Sequence, residues 1–308
     1  MSEPAADSAL TFSAGTLDTF LRTAIPGLDG PIAIERIAGG QSNPTFFVNY
    51  TNRRLVLRKQ PPGELLPSAH AIDREYRVIS ALGNTGVPVP PALLYCHDRS
   101  ITGTPFYVME RVEGRISHDC TLPGVPPGER RAMYASMART LANFHNVDYR
   151  AIGLGDYGKP GNYFGRQIAR WTRQWELSRT RDDRNVDRLI VWFPANIPND
   201  ETTSLVHGDY RIGNLMFHPV KPDVAAILDW ELSTLGHPLA DLAHCAIAWL
   251  SAPEEYGGLA GLDLDALGIP ALEDFASEYA AASCNSRSER ICPLMSVPVS
   301  GRRAFRTA

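Results

Sequence analysis

Apolar and polar residues recur with one spacing in the first third of the chain and with another in the remainder. Between residues 30 and 110, short apolar runs are separated by Gly, Pro and Asn, which is typical of strands joined by turns. Residues 70–82 instead place Ile72, Tyr76 and Ile79 at helical spacing. The pattern predicts an antiparallel sheet that carries one long helix. Its strands are expected at 31–37, 45–50, 54–59, 92–96 and 105–111.

Beyond Gly114 the apolar residues recur mainly at helical spacing. Met133, Met137, Leu141 and Phe144 form one such stripe, which we interpret as core. Helices are expected at 16–23, 129–145, 163–179, 186–196 and 238–250. We therefore predict an α+β, bilobal chain with a small antiparallel-sheet N-lobe and a larger, mainly helical C-lobe. The cleft between the lobes is the expected ligand site.

The predicted boundaries follow these changes in spacing and composition. The N-lobe is expected at 16–112 and the C-lobe at 113–282, after a flexible N-terminus at 1–15. Residues 283–308 are rich in Ser, Arg and Pro and lack helical periodicity. We interpret this stretch as an atypical tail, and the family resemblance described below adds the expectation that the chain is truncated or altered in reading frame near residue 283.

Composition excludes several classes of protein. The chain has 308 residues, a net charge of −4 and no basic stripe, which argues against a nucleic-acid partner. It has neither an apolar run long enough to span a membrane nor an N-terminal signal, so a soluble cytoplasmic protein is expected. Its five cysteines are scattered without a Cys-x-x-Cys pair, which argues against disulfides and zinc.

The candidate chemistry is concentrated in 205–218 and 226–231. Asp209 and Asn214 are five residues apart, and Asp229 follows an apolar run twenty residues after Asp209. In kinase catalytic loops an Asp at the first position accepts the proton of the attacking hydroxyl. An Asn at the second position and an Asp after the next strand hold metal ions. The joint spacing predicts Asp209 as base and Asn214 and Asp229 as metal ligands.

Phosphoryl transfer also needs a cation that holds the polyphosphate, oriented by a glutamate of a nearby helix. Arg58 and Lys59 end the third predicted strand, and Glu75 lies in the helix that follows. Because side chains alternate along a strand, only one of the two cations can face the site. Arg58 is preferred and Lys59 is the alternative. Solvated strand-end charges would explain the same residues without any ligand.

Two further segments are candidates for contact with the nucleotide. The turn at 39–43 contains Gly40 and Ser42, whose amide and hydroxyl groups could cover phosphates, although a hairpin turn explains it equally well. The lobe connection contains Glu110 and Val112, where backbone groups could read an adenine edge. The sequence has no Gly-x-Gly-x-x-Gly or Walker motif, which argues against dinucleotide and P-loop sites.

Three other residues are predicted to support the site. His207 is expected to orient the loop backbone, and Glu231 accompanies Asp229. Asp241 has two interpretations: a buried carboxylate that ties the loop to the next helix, or an acidic residue at a helix N-terminus. The histidines at 218, 237 and 244 are interpreted as structural rather than as ligands.

The motifs His207-Gly-Asp209, Asn214 and Ile227-Leu-Asp-Trp-Glu231 resemble those of the aminoglycoside phosphotransferase and choline kinase-like superfamily. The stretches 55–63, 74–76 and 236–242 are similar to phosphotransferase domains found beside or fused to acyl-CoA dehydrogenases. The resemblance implies a protein-kinase-like fold, ATP and Mg²⁺. It also implies Asp209 as base, Asn214 and Asp229 as metal ligands, and an Arg58–Glu75 pair at the phosphates.

The sequence thus predicts an ATP-dependent kinase that phosphorylates a small-molecule hydroxyl. A hydroxyacyl thioester is the acceptor that the resemblance suggests, and a functional association with an acyl-CoA dehydrogenase is expected with it. A catalytically weak nucleotide-binding scaffold is the alternative. A metal-dependent hydrolase is disfavoured because no second His/Asp cluster has metal spacing. Trp171, Trp175 and Trp192 suggest apolar surface, although tryptophans are more often core.

Overall fold

The computed structural model of the chain describes residues 12–37, 43–63 and 71–285. Gly40 and Ser42, two of the predicted site residues, lie outside the described residues, as does the predicted tail from residue 286 onward. The chain forms two compact units. The first consists of residues up to His118 together with Ile212–Leu232, and the second of Asp119–Arg211 and the residues from Ser233 onward.

Most elements lie within a few residues of the ranges expected from the sequence. The helices of the described residues are α1 Ala14–Ala24, α2 Ile72–Leu82, α3 Arg99–Thr102, α4 Pro127–His145, α5 Tyr163–Ser178, α6 Arg184–Ala195, α7 Leu239–Leu250, α8 Pro253–Tyr256, α9 Leu264–Leu267 and α10 Leu272–Asn285. The strands are β1 Ala33–Arg36, β2 Thr45–Asn49, β3 Arg54–Lys59, β4 Ala92–Cys96, β5 Phe106–Glu110, β6 Arg115–Ile116, β7 Ser204–Val206, β8 Leu215–Phe217, β9 Val224–Ile227 and β10 Thr234–Gly236.

The first unit contains the predicted antiparallel sheet, with strands in the order β1-β2-β3-β5-β4. Leu17 and Leu21 of α1 are buried in one cluster with Leu55 and Leu57 of β3, which covers one face of the sheet. Helix α2 contacts β4 and β5. Both faces of β3 are therefore buried, and five of its six residues are partly or fully removed from solvent. Because both faces of the strand are buried, the side chains of Arg58 and Lys59 at its end must each find partners within the fold.

A second, three-stranded sheet explains why residues 212–232 belong to the first unit. Its order is β6-β8-β9, with Arg115 opposite Phe217 and Leu215 opposite Ile227. The Ile227 amide also donates to the Pro88 carbonyl at 2.8 Å. The predicted C-lobe, 113–282, therefore differs from the observed division, because strand pairing returns part of it to the first unit.

The second unit is mainly helical. Met133, Met137, Leu141 and Phe144 of α4 are all buried, as the sequence predicts, and α4 packs against α10 and β7. Strand β7 pairs with β10 in a two-stranded sheet. Helices α5 and α6 contact each other but contain no fully buried residue.

Two of the three tryptophans lie on the apolar surface that the sequence suggests, rather than in the core. Trp171 of α5 is 61% exposed and Trp192 of α6 is 56% exposed, whereas Trp175 is half-buried. Helices α5 and α6 contact each other, and both of these tryptophans remain more than half exposed.

Helix α10 was not predicted and corrects the boundary of the atypical tail. It continues through Asn285, and Ser283 inside it is fully buried with its hydroxyl donating to the Tyr279 carbonyl at 2.9 Å. The predicted start of the tail at 283 thus falls within a helix. Among the described residues, the helices are all too short or too polar to cross a membrane.

Gly268 allows the chain to turn from α9 toward α10 and provides a test of this packing. It has a φ of +72°, and an added Cβ would lie 2.2 Å from the Pro127 carbonyl oxygen at the start of α4. We expect Gly268→Ala to lower the free energy of unfolding by at least ~2 kcal/mol, from backbone strain and the clash. Urea unfolding measures the change.

Gly128 is the matched control, since it lies one residue beyond Pro127 and an added Cβ there would meet no atom within 4 Å. Gly128→Ala should leave stability unchanged or raise it by up to ~1 kcal/mol, because alanine is the better helix former. Equal effects of the two substitutions would contradict the described junction.

Candidate active site

Arg58 gathers carboxylates from two other elements of the first unit. Its Nε lies 3.0 Å from Glu75 Oε2 of α2, and its Nη2 donates to Asp229 Oδ1 at 2.8 Å. Glu231 lies farther away, at 3.9 Å from the same nitrogen. The guanidinium is largely buried, and the nearby carboxylates raise the pKa of Arg58 although burial alone would lower it. The charge of Arg58 is therefore retained inside the fold.

Lys59 lies on the opposite face of the sheet, as strand alternation requires. It is only 3% exposed, its Nζ donates to the Thr102 carbonyl, and it lies 5.1 Å from the centre of the Phe12 ring. Burial lowers the pKa of Lys59. The structure thus separates the two alternatives left by the sequence: Arg58 meets Glu75 and Asp229, and Lys59 is enclosed elsewhere.

Glu75 is a carboxylate buried within the first unit, at 1% exposure. It accepts hydrogen bonds from the Asn43 amide at 3.2 Å and from the Tyr107 hydroxyl at 3.0 Å. Burial raises the pKa of Glu75 to about 7, although Arg58 acts in the opposite direction. Solvated strand-end charges therefore do not describe Arg58 and Glu75, because both are enclosed and paired.

Asp229 follows β9 in a left-handed backbone conformation, with φ of +62°. This conformation is uncommon outside glycine, although aspartate and asparagine adopt it more readily than other residues. The preceding residue, Leu228, donates its amide to the Asn214 carbonyl at 2.9 Å. Asn214 is buried at the end of a short 3₁₀ turn. This main-chain hydrogen bond holds Asn214 close to the residue that precedes Asp229, so the two predicted metal ligands are linked through the backbone.

Carboxylate oxygens of Glu75, Asp229 and Glu231 lie within 4.8 Å of one another. Hard divalent cations such as Mg²⁺ prefer oxygen ligands of this type, and usually take only one or two carboxylates from the protein. The donor set of the first unit therefore fits a magnesium ion. Arg58 already neutralises part of this negative charge.

The loop that carries Asp209 is fixed by Asp241 in the second unit. The Asp241 carboxylate accepts the amides of His207 at 2.7 Å and Gly208 at 2.8 Å, and it also contacts His145 Nε2 at 3.1 Å. Although burial raises the pKa of Asp241, these hydrogen bonds lower it below its usual value. Of the two interpretations of Asp241, the tie between loop and helix is the one that the contacts support. It also occupies the first turn of α7.

His207 acts on the loop backbone, as the sequence analysis anticipates. It is fully buried, and its Nδ1 accepts the Asp209 amide at 3.3 Å. Together with the two amides bound by Asp241, this contact places three consecutive residues of the loop under direct restraint. The main chain at Asp209 is therefore held before any ligand binds.

Two further residues lie beside Asp209: His244, which the sequence analysis interprets only as structural, and Arg211, which it does not single out. His244 of α7 lies with its Nε2 2.8 Å from Asp209 Oδ1, and Arg211 Nε lies 3.3 Å from the same oxygen. Each carried a signal that could have been used. Arg211 is two residues after Asp209, and His244 is one helical turn after Asp241.

Glu110 and Val112, the two predicted adenine contacts, lie at the end of β5 and in the connection that follows it. The Glu110 side chain accepts from Arg53 Nε at 2.9 Å, and the Glu110 amide donates to the Pro91 carbonyl at 2.9 Å. Val112 is half-buried. Neither the side chain nor the amide of Glu110 is therefore available to a nucleotide in this arrangement, which leaves only its carbonyl as a candidate contact.

Comparison with known proteins agrees with these features. The model of the phosphotransferase enzyme family matches residues 33–283. Mouse acyl-CoA dehydrogenase family member 10 is 47% identical over 253 residues, covering 81% of this chain and 24% of that protein. The chain belongs to the phosphotransferase enzyme family. It spans about a quarter of the length of this mouse relative.

Solved structures share its fold. A Ralstonia eutropha protein named as an aminoglycoside phosphotransferase is 47% identical, with a TM-score of 0.82 over 89% of this chain and 81% of that one. The streptomycin–ATP complex of APH(2'')-IIa is 16% identical, with a TM-score of 0.56 over 89% and 82% of the two chains. This second likeness concerns the fold alone. The predicted kinase-like α+β fold is confirmed.

The Asp241 contacts predict a large effect of a small substitution. Asp241→Asn removes the charge and turns an amide NH₂ group toward donors that now lack an acceptor. We expect a loss of about 3 kcal/mol in the free energy of unfolding. Asp265→Asn, in the first turn of α9 and fully exposed, is the control and should change stability by less than ~0.5 kcal/mol. Similar values for both variants in urea unfolding would refute the tie.

Glu75 predicts a pH dependence of stability. Because folding raises its pKa from 4.5 to about 7, the folded state binds the proton more tightly than the unfolded state. The resulting stability is present below pH 4.5 and is lost as the pH rises through 7. Relative to Glu75→Gln, the wild type should lose about 3 kcal/mol over this window.

Urea unfolding at a series of pH values measures this difference. Glu113→Gln is the matched control, because Glu113 also pairs with arginines but is more than half exposed. Its difference from the wild type should not change across the window. A wild type and Glu75→Gln variant with parallel pH profiles would show that Glu75 ionises as it does in the unfolded chain.

Proposed function

We propose that the protein is an ATP-dependent kinase that transfers the γ-phosphoryl group to the hydroxyl of a small molecule. The observation that carries this proposal is the contact of Arg58 with both Glu75 and Asp229, at 3.0 and 2.8 Å. A cation oriented by a helix glutamate, beside an aspartate suited to metal, is the arrangement that phosphoryl transfer requires. Membership of the phosphotransferase family supports the same reaction.

Asp209 is the proposed base. As the acceptor oxygen bonds to the γ-phosphorus, its proton passes to the Asp209 carboxylate, and the bond from that phosphorus to the bridging oxygen of ADP breaks. The restraint of the loop by His207 and Asp241 supports this role, since it fixes the main chain from which Asp209 acts. Most of the rate enhancement would come from positioning and electrostatics rather than from a covalent intermediate.

The remaining site residues are assigned to the nucleotide. Arg58, held by Glu75, would contact the phosphates, and the amide of Val112 would read the adenine edge together with the Glu110 carbonyl. Asn214 and Asp229 would hold Mg²⁺, with Glu231 nearby, and the oxygen donors of the first unit fit that ion. When bound, the ion would neutralise charge on the phosphates. Gly40 and Ser42 remain predicted phosphate contacts.

The proposed acceptor is a hydroxyacyl thioester, and a functional association with an acyl-CoA dehydrogenase is proposed with it. The name of the mouse relative supports an acyl substrate. The segment 163–195, which begins beside His237 in the same unit as Asp209, carries seven arginines and four carboxylates. This excess positive charge disfavours a polycationic aminoglycoside, and the exposed Trp171 and Trp192 provide apolar surface.

Two substitutions test the proposed function separately for binding and for chemistry. Asp229→Asn preserves the left-handed backbone but removes a charge, so magnesium-dependent ATP binding should weaken at least tenfold in calorimetry. Asp209→Asn should lower turnover of a hydroxyacyl thioester by about 10³-fold while ATP affinity stays within about twofold. Asp223→Asn, exposed just before β9, is the control for both measurements.

These measurements distinguish an active kinase from the alternative function, a catalytically weak nucleotide-binding scaffold. Binding of Mg²⁺-ATP without turnover of any hydroxyl acceptor would favour the scaffold. Turnover that survives Asp209→Asn would remove Asp209 from the role of base. A folded wild type that binds no nucleotide would refute both functions.

A further inference from the structure

His244 makes a close contact with the carboxylate of Asp209. Its Nε2 lies 2.8 Å from Asp209 Oδ1, whereas Arg211 Nε lies 3.3 and 3.4 Å from the two carboxylate oxygens. Both partners are about one quarter exposed, at 26% for His244 and 24% for Asp209. The pair is therefore accessible from solvent and still close enough for a well-formed hydrogen bond.

The direction of this hydrogen bond follows from the chemistry of its partners. An ionised carboxylate can only accept, so the proton lies on His244 Nε2. The same donor is present in the neutral Nε2–H tautomer and in the imidazolium. A bond from imidazole to one oxygen limits rotation of the carboxylate about its Cβ–Cγ bond. The other oxygen, Oδ2, is then presented in a defined direction.

One face of α7 holds both the main chain and the side chain of the loop. Asp241 and His244 are three residues apart and thus neighbours on the helix surface. Asp241 accepts the amides of His207 and Gly208, and His244 contacts the carboxylate of the next residue, Asp209. Three consecutive loop residues are fixed by two side chains of one rigid element. Such support from a helix is what a precisely placed reactive group requires.

We propose that His244 is a positioning residue that orients the Asp209 carboxylate toward the acceptor hydroxyl, an inference that rests on the proposed kinase function. This role goes beyond the interpretation of His244 as a structural histidine. His244 acts through Asp209 and touches neither phosphate nor acceptor in this role. Its contribution therefore belongs to the chemical step and not to nucleotide binding.

Steady-state kinetics of three variants test this assignment with ATP and a hydroxyacyl thioester. His244→Leu removes the donor and should lower kcat about 30- to 100-fold, because a small misplacement of a reacting group has effects of this size. The KM for ATP should stay within about twofold, and the Tm should not change. His244→Gln retains a side-chain N–H near the Nε2 position and should recover kcat to within about fivefold of the wild type. His97→Leu, an exposed histidine of the first unit, is the control.

A double variant identifies the route of the effect. If His244 acts only through Asp209, adding His244→Leu to Asp209→Asn should change the remaining kcat less than about twofold. A tautomer-resolved nitrogen NMR spectrum provides a readout independent of turnover and should show a protonated Nε2 on His244.

Failure of this inference is distinguishable from failure of the proposed function. An active wild type with an equally active His244→Leu variant, or an unprotonated His244 Nε2, would overturn the positioning role alone. A His244→Leu variant with a lowered Tm and no recovery by His244→Gln would assign the residue to structure instead. A wild type without phosphotransferase activity would overturn both.

Discussion

Both units of this protein depend on the same constraint, namely that a charge removed from water must be met by an opposite charge or by hydrogen bonds. In the first unit the constraint is met by Arg58 between Glu75 and Asp229, and in the second by Asp241 beneath the amides of His207 and Gly208. Each buried charge contacts elements that are distant in sequence. The same ion pairs and hydrogen bonds that stabilise the charge therefore also hold the candidate site residues in place. Stability and site geometry are therefore coupled in both units.

Much of this arrangement could be predicted because it rests on periodicity and spacing. Alternation along β3 required Arg58 and Lys59 to diverge, and the helical stripe from Met133 to Phe144 identified the core face of α4. The spacing of Asp209, Asn214 and Asp229 identifies the loop and the turn after β9 as the candidate site. These are local properties, which a single sequence expresses directly.

Contacts that depend on tertiary packing could not be predicted in the same way. The choice between Arg58 and Lys59 needed the positions of α1 and α2 on the two faces of the sheet, and His244 needed the packing of α7 against the loop. Short elements such as β8 have too few residues for a period to appear, so the return of 212–232 to the first unit was not anticipated. The exposed Trp171 gives a second example. The composition of a helix does not say whether another element covers its apolar face.

The return of residues 212–232 to the first unit has a consequence for inheritance. Strand β6 pairs with β8 across about a hundred intervening residues, so each unit is assembled from two separate stretches of the gene product. A genetic exchange near residue 118 would transmit one strand of the three-stranded sheet without the other two. Both stretches of each unit must be inherited together for its strands and helices to meet their partners.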